Sequence, residues 1–431
     1  MIQEIAFKAR QASIRTAALS AEEKNCALAA IAGALRQQEK RIVAANQEDL
    51  AQAQKDHLNP ALLKRLKFDG AKLKGAIEGI ESLITLADPV GRTLSARQLD
   101  NGLELYQVSA PIGVLGIIFE SRPDALVQIS TLALKSGNAV LLKGGSEAVH
   151  TNRALAEVII EASEGAGLPE GWMALLETRA DVNAMLALEG YIDLMIPRGS
   201  NAFVKYIMDH TRIPVLGHAD GICHVFIDRA ADLEKAVRIA YDSKCQYPAV
   251  CNAMETLLVD QAIAGEFLPR IKAEYEKAGV ELRGDSRTQN IIEVKAADEQ
   301  DWKTEYNDLI LSIRVVDGLE AAIDHINTYS SHHTDAIVTE DSQAARQFLN
   351  RVDSADVFWN CSTRFADGFR YGLGAEVGIS TNKIHARGPV GLEGLVIYKW
   401  KLLGRGQIVA EYSGPQAKPF THKEMNKPCP L

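Results

Sequence analysis

The sequence predicts an α/β protein of two open-sheet α/β domains, with a β-hairpin standing apart from both. Three observations carry this. Residues 1–90 read as helix after helix. Between 112 and 230, short apolar runs alternate with helix-period segments, and the same alternation returns from 232 to 350. A chain of 431 residues has room for two domains or a little more.

Taken in order, the helical start is marked by Ser20 and Glu23 at capping-box spacing, followed by Leu28, Ile31, Leu35 and Ile42 at helical spacing. Asp69-Gly70 breaks the next helical stretch. The period then changes to two. Thr93 to Leu99 alternates, Asp100-Asn101-Gly102 makes a turn, and Leu103 to Ser109 alternates again, which together form a hairpin. Nothing local can pack on it, so it should project or pair with a distant segment. Ile112 to Phe119 and Ala139 to Leu142 suit buried parallel strands, with a helix over 126–135 between them. A helix over 150–165, a strand over 192–196 and a helix over 201–210 continue the pattern. Ligands of such a sheet gather at the carboxyl ends of its strands. In the second stretch, helices over 232–243, 263–279, 319–327 and 342–350 alternate with strands over 256–259, 309–316 and 336–339. Strands are expected again over 395–401 and 407–412. The residues from Gly414 onward carry four prolines and read as an arm.

Net charge is -9, which argues against a nucleic-acid or anionic-membrane partner but leaves room for anionic small ligands. The six cysteines, at 26, 223, 245, 251, 361 and 429, form no C-x-x-C pair. Zinc and dithiol redox chemistry therefore have little support, and dispersed cysteines in a long chain fit a reducing cytoplasm. No run reaches the ~18 apolar residues of a membrane span. Met1 to Ser20 lacks the apolar core of a secretory leader.

The most informative run is Gln246 to Val259. Cys251 follows a Pro-containing loop and precedes a few turn residues and a short apolar strand. A thiol at such a junction is accessible, and turn N–H groups beside it favour an anion. That is the layout of a thioester-forming nucleophile; the alternative is a small buried hydrophobe. No G-x-G-x-x-G is present, and Gly372 to Gly378 misses that spacing by one residue. Gly137 to Glu147 offers another dinucleotide route. A buried strand ends at Lys143, Gly144 and Gly145 allow close backbone approach, and Ser146 opens a helix. Pro197 to Asn201 repeats the theme with Ser200, which ordinary helix capping would also explain. Arg122, after the first buried strand, suits a carboxylate or phosphate, or else a surface pairing with Glu120 or Asp124. His325, His332 and His333 lack a carboxylate or cysteine at metal spacing, so loop ordering is the expected role.

With these runs in hand the chain is recognisable. Val316, Ala322-Ile323, His325-Ile326, Tyr329-Ser330-Ser331, His333-Thr334-Asp335 and Ile337 resemble, position for position, the signature of the γ-glutamyl phosphate reductase family, within the aldehyde dehydrogenase superfamily. Cys251-Asn252 before Glu255 to Val259, Glu120 to Pro123, Lys143 to Gly145 and Lys383 to Pro389 are similar to further family runs. The resemblance implies an aldehyde dehydrogenase-like fold. Its cofactor-binding domain would span 1–92 and 111–226, and its catalytic domain 227–375. An oligomerisation flap would span 93–110 and 395–413, with a return segment over 376–394 and an arm over 414–431. It implies reduction of L-glutamyl 5-phosphate by NADPH to the semialdehyde with release of phosphate, in a homo-oligomer (dimer or tetramer), with glutamate 5-kinase as a candidate partner. Cys251 would be the nucleophile, with Ser121 and the Cys251 backbone N–H as oxyanion donors. Lys143, Gly145, Ser146 and Ser200 would hold the adenosine half of the cofactor, and Glu305 would sit near the nicotinamide ribose. Arg122 and Asn252 would contact substrate. Two departures matter. Asp124 stands where the family often has Asn, and an ionised Asp cannot donate to an oxyanion. Leu216 to Gly221 also lacks the glutamate with which the wider superfamily activates hydrolytic water, which argues against a hydrolytic dehydrogenase.

Overall fold

The computed structural model describes residues 2–120, 122–177, 180–217, 220–374 and 376–430. Along the chain come α1 (Ile2–Thr16), α2 (Ala21–Gln37), α3 (Glu39–Lys55), α4 (Pro60–Leu66), α5 (Gly70–Thr85), β1 (Thr93–Asp100), β2 (Leu103–Pro111), β3 (Val114–Phe119), α6 (Pro123–Lys135), β4 (Ala139–Lys143), α7 (Val149–Gly165), β5 (Met173–Leu176), α8 (Ala180–Leu186), β6 (Leu194–Arg198), α9 (Asn201–His210) and β7 (Cys223–Ile227). There follow α10 (Leu233–Cys245), β8 (Met254–Asp260), α11 (Gln261–Lys277), β9 (Glu281–Gly284), α12 (Ser286–Gln289), β10 (Lys295–Ala296), β11 (Ile310–Val316), α13 (Leu319–Tyr329), β12 (Thr334–Val338), α14 (Ser342–Arg351), β13 (Asp356–Trp359), β14 (Gly378–Ser380), β15 (Gly388–Val390), β16 (Val396–Leu403) and β17 (Lys423–Glu424). The chain divides into two compact units: Met1–Gly199 with Tyr206–Leu216 and Val390–Leu431, and Ser200–Lys205 with Gly217–Pro389.

In the first unit the expected helical start is present. Ser20 caps α2, its side chain accepting from the Glu23 N–H while the Glu23 carboxylate accepts from the Ser20 N–H, a reciprocal arrangement that satisfies two orphan donors. Asp69, expected as a break, is the N-cap of α5, accepting from the Lys72 N–H. The sheet is parallel, in the order β5-β4-β3-β6. Both β3 and β4 are buried along their whole length, as their unbroken apolar runs require. The order reverses between β3 and β6, so the loop after β3 opens at a switch point. Helix α3 braces the loop after β4. The Asp49 carboxylate accepts from the N–H groups of His150 (3.1 Å) and Thr151 (2.8 Å), and so caps the start of α7.

The hairpin β1–β2 belongs to an antiparallel sheet ordered β16-β2-β1-β17. Its distant partners are thus in the same chain. Ala96, Tyr106 and Val108 form a small core with Leu403, Met425 and Cys429. The strand expected over 407–412 is instead a 3₁₀ turn, Val409–Tyr412. It folds back on the hairpin turn, with Tyr412 Oη donating to Asp100 Oδ2 at 2.8 Å. The arm is not loose, since β17 pairs with β1.

The second unit holds a seven-stranded, wholly parallel sheet in the order β10-β9-β11-β8-β7-β12-β13. Its core is lined by Val225, Leu257, Phe267, Leu311 and Ala336 among others. The domain boundary expected at 226/227 falls at 216/217, because β7 is a central strand of this sheet. Residues 390–431 join the first unit through the antiparallel sheet, whereas 376–389 remain with the second. Strands β5, β7, β9 and β13, each of four or five residues, were not expected. Among the described residues no helix is long and apolar enough to cross a membrane.

Candidate active site

Cys251 lies in a turn that runs directly into β8, where the sequence places it. Three neighbours define its surroundings, all from the amino ends of adjacent strands. Gly221 precedes β7, and its backbone lies against that of Cys251. A Cβ there would collide with the Cys251 Cα and carbonyl oxygen. Cys223, at the start of β7, donates its S–H to the Cys251 carbonyl at 3.2 Å. Burial raises the Cys223 thiol well above its ordinary range, with the Asp335 charge acting the same way, so this second thiol stays protonated. Finally, His333, just before β12 and fully buried, places Nε2 3.2 Å from the Cys251 sulfur, while its Nδ1 lies 2.7 Å from Thr334 Oγ1. A thiol facing an imidazole nitrogen is the arrangement by which a cysteine is activated as a nucleophile.

His333, expected with His325 and His332 to order a loop, instead faces the Cys251 sulfur. The available signal was its position at the entrance to an apolar strand, beside Asp335 in one motif. The other two histidines do order structure. His332 Nδ1 donates to the Asp353 carbonyl at 2.7 Å. His325 Nδ1 accepts from Arg314 Nη1 at 2.9 Å, and burial pushes its pKa down to about 2, with His224 and Arg314 acting the same way. Asp335 gathers the His224 N–H (2.7 Å), the His224 Nδ1–H (2.9 Å) and the Ser330 hydroxyl (2.8 Å) on one buried carboxylate. Among the described residues no group of three or more His, Cys, Asp or Glu side chains could hold a metal ion.

The remaining expected residues fall as follows. Asn252 is buried, and its Nδ2 donates to the Ala366 carbonyl at 2.7 Å, so its amide nitrogen anchors the Cys251 turn. Glu305 accepts from Asn201 Nδ2; burial raises its pKa, against which the Asn201 hydrogen bond acts. Its loop rests on a fully buried ion pair, since the Asn307 N–H donates to Glu255 Oε1 (3.3 Å) and Lys244 Nζ donates to Glu255 Oε2 (2.5 Å). Burial raises the Glu255 carboxyl, and the Lys244 charge and hydrogen bond act against it. Ser200 sits exposed at the start of α9, its carbonyl accepting from the N–H groups of Phe203 and Val204 at 2.9 Å. It lies with Glu305 in the second unit, whereas Lys143, Gly145 and Ser146 lie in the first.

In the first unit Lys143 ends β4, buried, with its ammonium donating to the Gly144 carbonyl. Ser146 opens a 3₁₀ turn, Ser146–Ala148, ahead of α7. Gly145 has the Glu147 carboxylate where a side chain would stand. Lys143 thus stands at the carboxyl end of a parallel strand, the edge at which open sheets hold ligands. Arg122 shows the surface pairing that was its alternative, Nη2 donating to Asp124 Oδ2 at 2.9 Å. Ser121 lies outside the described residues.

The neutral His325 has a consequence for stability. Its ordinary pKa is 6.5 and its folded value about 2, so the unfolded chain takes up a proton that the folded chain refuses. The stability is therefore present above pH 6.5 and lost as pH falls below it. Between pH 7 and pH 5 this one group removes about 2 kcal/mol. Urea unfolding at the two pH values should show a smaller loss in His325→Phe than in the wild type; an identical loss would mean the histidine titrates normally.

The profile of the aldehyde dehydrogenase family matches residues 1–302. The gamma-glutamyl phosphate reductase of Ruminiclostridium cellulolyticum is 62% identical over 426 residues, covering 99% of this chain and 98% of the relative. That of Acetivibrio thermocellus is 61% identical over 430 residues, covering both chains entirely. The crystal structure of the Thermotoga maritima gamma-glutamyl phosphate reductase superposes with a TM-score of 0.92 at 42% identity, covering 94% of this chain and 99% of that one. An acetylating aldehyde dehydrogenase from Geobacillus thermoglucosidasius shares the fold at a TM-score of 0.62 and 17% identity. A cysteine turn beside a buried histidine, two parallel-sheet units and full-length likeness at this level converge: the chain belongs to the aldehyde dehydrogenase family, among the gamma-glutamyl phosphate reductases.

Proposed function

We propose that this chain reduces L-glutamyl 5-phosphate to L-glutamate 5-semialdehyde with release of phosphate, using NADPH, as the second step of proline biosynthesis from glutamate. The full-length identity to reductases so named supports the substrate. The observation that carries the chemistry is the Cys251–His333 contact at 3.2 Å. In this reading the Cys251 thiol passes its proton to His333 Nε2, and the Nδ1–H donates to Thr334 Oγ1. The thiolate attacks the γ-carbonyl carbon and forms a thioester as phosphate leaves. NADPH supplies the hydride that reduces the thioester. The resulting thiohemiacetal collapses to the aldehyde, and His333 returns its proton to the sulfur. Phosphate is a good leaving group, so the proton on His333 is needed at the sulfur rather than at the departing oxygen.

Lys143 is read as the contact to the 2′-phosphate of the cofactor, its ammonium turning from the Gly144 carbonyl. The exposed Ile397, Tyr398, Trp400 and Leu402 of the edge strand β16 are read as the contact between copies in a homo-oligomer. None of the six cysteines is in a disulfide among the described residues, which supports a cytoplasmic setting.

The direct test is the reverse reaction, a nicotinamide absorbance change that requires semialdehyde, phosphate and NADP together. Cys251→Ala should leave less than about one hundredth of it, since loss of a nucleophile costs several kcal/mol of barrier. His333→Gln should cost about a hundredfold and move the pH optimum upward, toward the free thiol's own ionisation. Turnover of the alanine variant near the wild-type rate would exclude the thioester. Lys143→Ala should weaken NADPH binding about tenfold or more while changing NADH little, because only the phosphate gains a charge-assisted contact; equal losses would remove Lys143 from that role. Replacing Tyr398 and Trp400 by Lys should lower the mass seen by light scattering, and an unchanged mass would place the oligomer contact elsewhere.

A further inference from the structure

Arg364 is a charged side chain of the second unit with no role in the chemistry above. It is 8% exposed and sits in a 3₁₀ turn, Thr363–Phe365, just after β13. That turn is laced to the segment leading to Cys251. Ser243 Oγ donates to Ser362 Oγ at 3.2 Å, and the Thr363 N–H to Ser243 Oγ at 3.3 Å. Arg364 Nε donates to Gln246 Oε1 at 2.9 Å, and Asn252 Nδ2 to the Ala366 carbonyl at 2.7 Å. These bonds flank Arg364 on both sides, so its guanidinium lies against the loop that carries the nucleophile. Among the described residues neither Nη1 nor Nη2 has a hydrogen-bond partner. Burial lowers the guanidinium below its ordinary value, the charge of Arg370 acts the same way, and Cys251, Asp242 and Asp367 act against it. Neither Nη1 nor Nη2 is among the atoms buried without a partner, so the open fork is reached from solvent, and its planar pair of donors matches two oxygens of a phosphoryl group.

We propose that Arg364 receives the phosphoryl group of the acyl phosphate, Nη1 and Nη2 each donating to one of its oxygens, beside the Cys251 sulfur. The proposal rests on the reaction assigned above and names the phosphate end of its substrate site. In that step the sulfur–carbon bond forms and the carbon–oxygen bond to phosphate breaks. The bonding electron pair leaves on the phosphate oxygen, the thiol proton is on His333, and nothing is oxidised or reduced. Arg364 stabilises the charge that the leaving oxygen gathers. The phosphoryl end is chosen over the substrate's α-carboxylate because the phosphoryl oxygen is bonded to the carbon that the sulfur attacks. The carboxylate stands at the far end of the molecule.

The test uses the full chain in the reverse reaction, with inorganic phosphate varied at saturating semialdehyde and NADP. Arg364→Gln should raise the KM for phosphate about ten- to a hundredfold, the range expected for lost charge-assisted hydrogen bonds, with a much smaller change in the KM for semialdehyde. Arg364→Lys keeps the charge without the fork and should fall between the two. Circular dichroism reports whether each variant folds; if Arg364→Gln does not, the lysine variant decides, and a wild-type KM for phosphate there overturns the proposal. A wild-type KM for phosphate in a folded Arg364→Gln overturns it equally. A rise confined to the semialdehyde KM also overturns it, and assigns Arg364 to the α-carboxylate. If the wild-type chain itself shows no phosphate dependence, the proposed reaction fails and Arg364 with it; if it does and only the variant result is contrary, Arg364 alone is misassigned.

Discussion

Everything around Cys251 depends on parallel pairing of β7, β8, β12 and β13, which sets four strand beginnings along one edge of a sheet. Parallel strands separated by helices bring side by side the segments that precede each strand, however distant in sequence. Gly221, Cys251, His333 and the Asp356 end of β13 are neighbours for that reason. The closest approach is backbone on backbone, at Gly221 and Cys251, and it tolerates no side chain at 221. This explains in physical terms what the glycine after Asp220 does there: it lets the turn before β8 settle against the entry to β7. Cys251 thus stands at the amino edge of its sheet, whereas open sheets usually hold ligands at the carboxyl edge, the edge at which Lys143 ends β4 in the sheet of the other unit.

A second constraint is electrostatic. The second unit buries several ionisable groups, and most are matched. Asp335 takes donors from His224 and Ser330, and Glu255 faces Lys244 with both side chains fully buried. Breaking such a pair by removing one partner costs about 3–5 kcal/mol, because the remaining charge is left uncompensated. These pairs therefore hold the loops that carry Glu305 and His333 more firmly than the surface ion pairs do, which are screened and contribute little. Asn252 Oδ1, His224 Nε2 and His325 Nε2 are buried without a hydrogen-bond partner among the described residues. Unmatched polar atoms of this kind are uncommon in a folded interior, and they cluster in the unit that holds Cys251.

The first unit shows how local signals and long-range pairing divide the work. Capping at Ser20 and the buried runs of β3 and β4 were legible because each depends on residues within one turn or one strand. The flap was legible as a hairpin that needed a partner. Its partners, β16 on one side and β17 on the other, were only half foreseen. Lys423–Glu424 is a two-residue strand in a proline-rich tail, with no pattern long enough to read. Segment 407–412 has strand-like composition, yet Tyr412 reaches Asp100 and the chain turns instead.

By itself the sequence determined the alternation of helices and strands, the hairpin, and the turn that carries Cys251, since these follow from period, punctuation and residue type within short windows. The family likeness was also in the sequence, carried by runs long enough to exclude chance. Only the tertiary structure decided which strands are neighbours, and with them the partners of the thiol. His333 is 82 residues from Cys251 and reads, in isolation, as one of three histidines around a loop. Arg364 belongs to no sequence motif singled out above, and only the bonds at Gln246 and Ala366 set it beside the cysteine loop. The reason is the same in both cases: a short-range pattern specifies an element, whereas a contact across a parallel sheet depends on strand order, which no local pattern encodes.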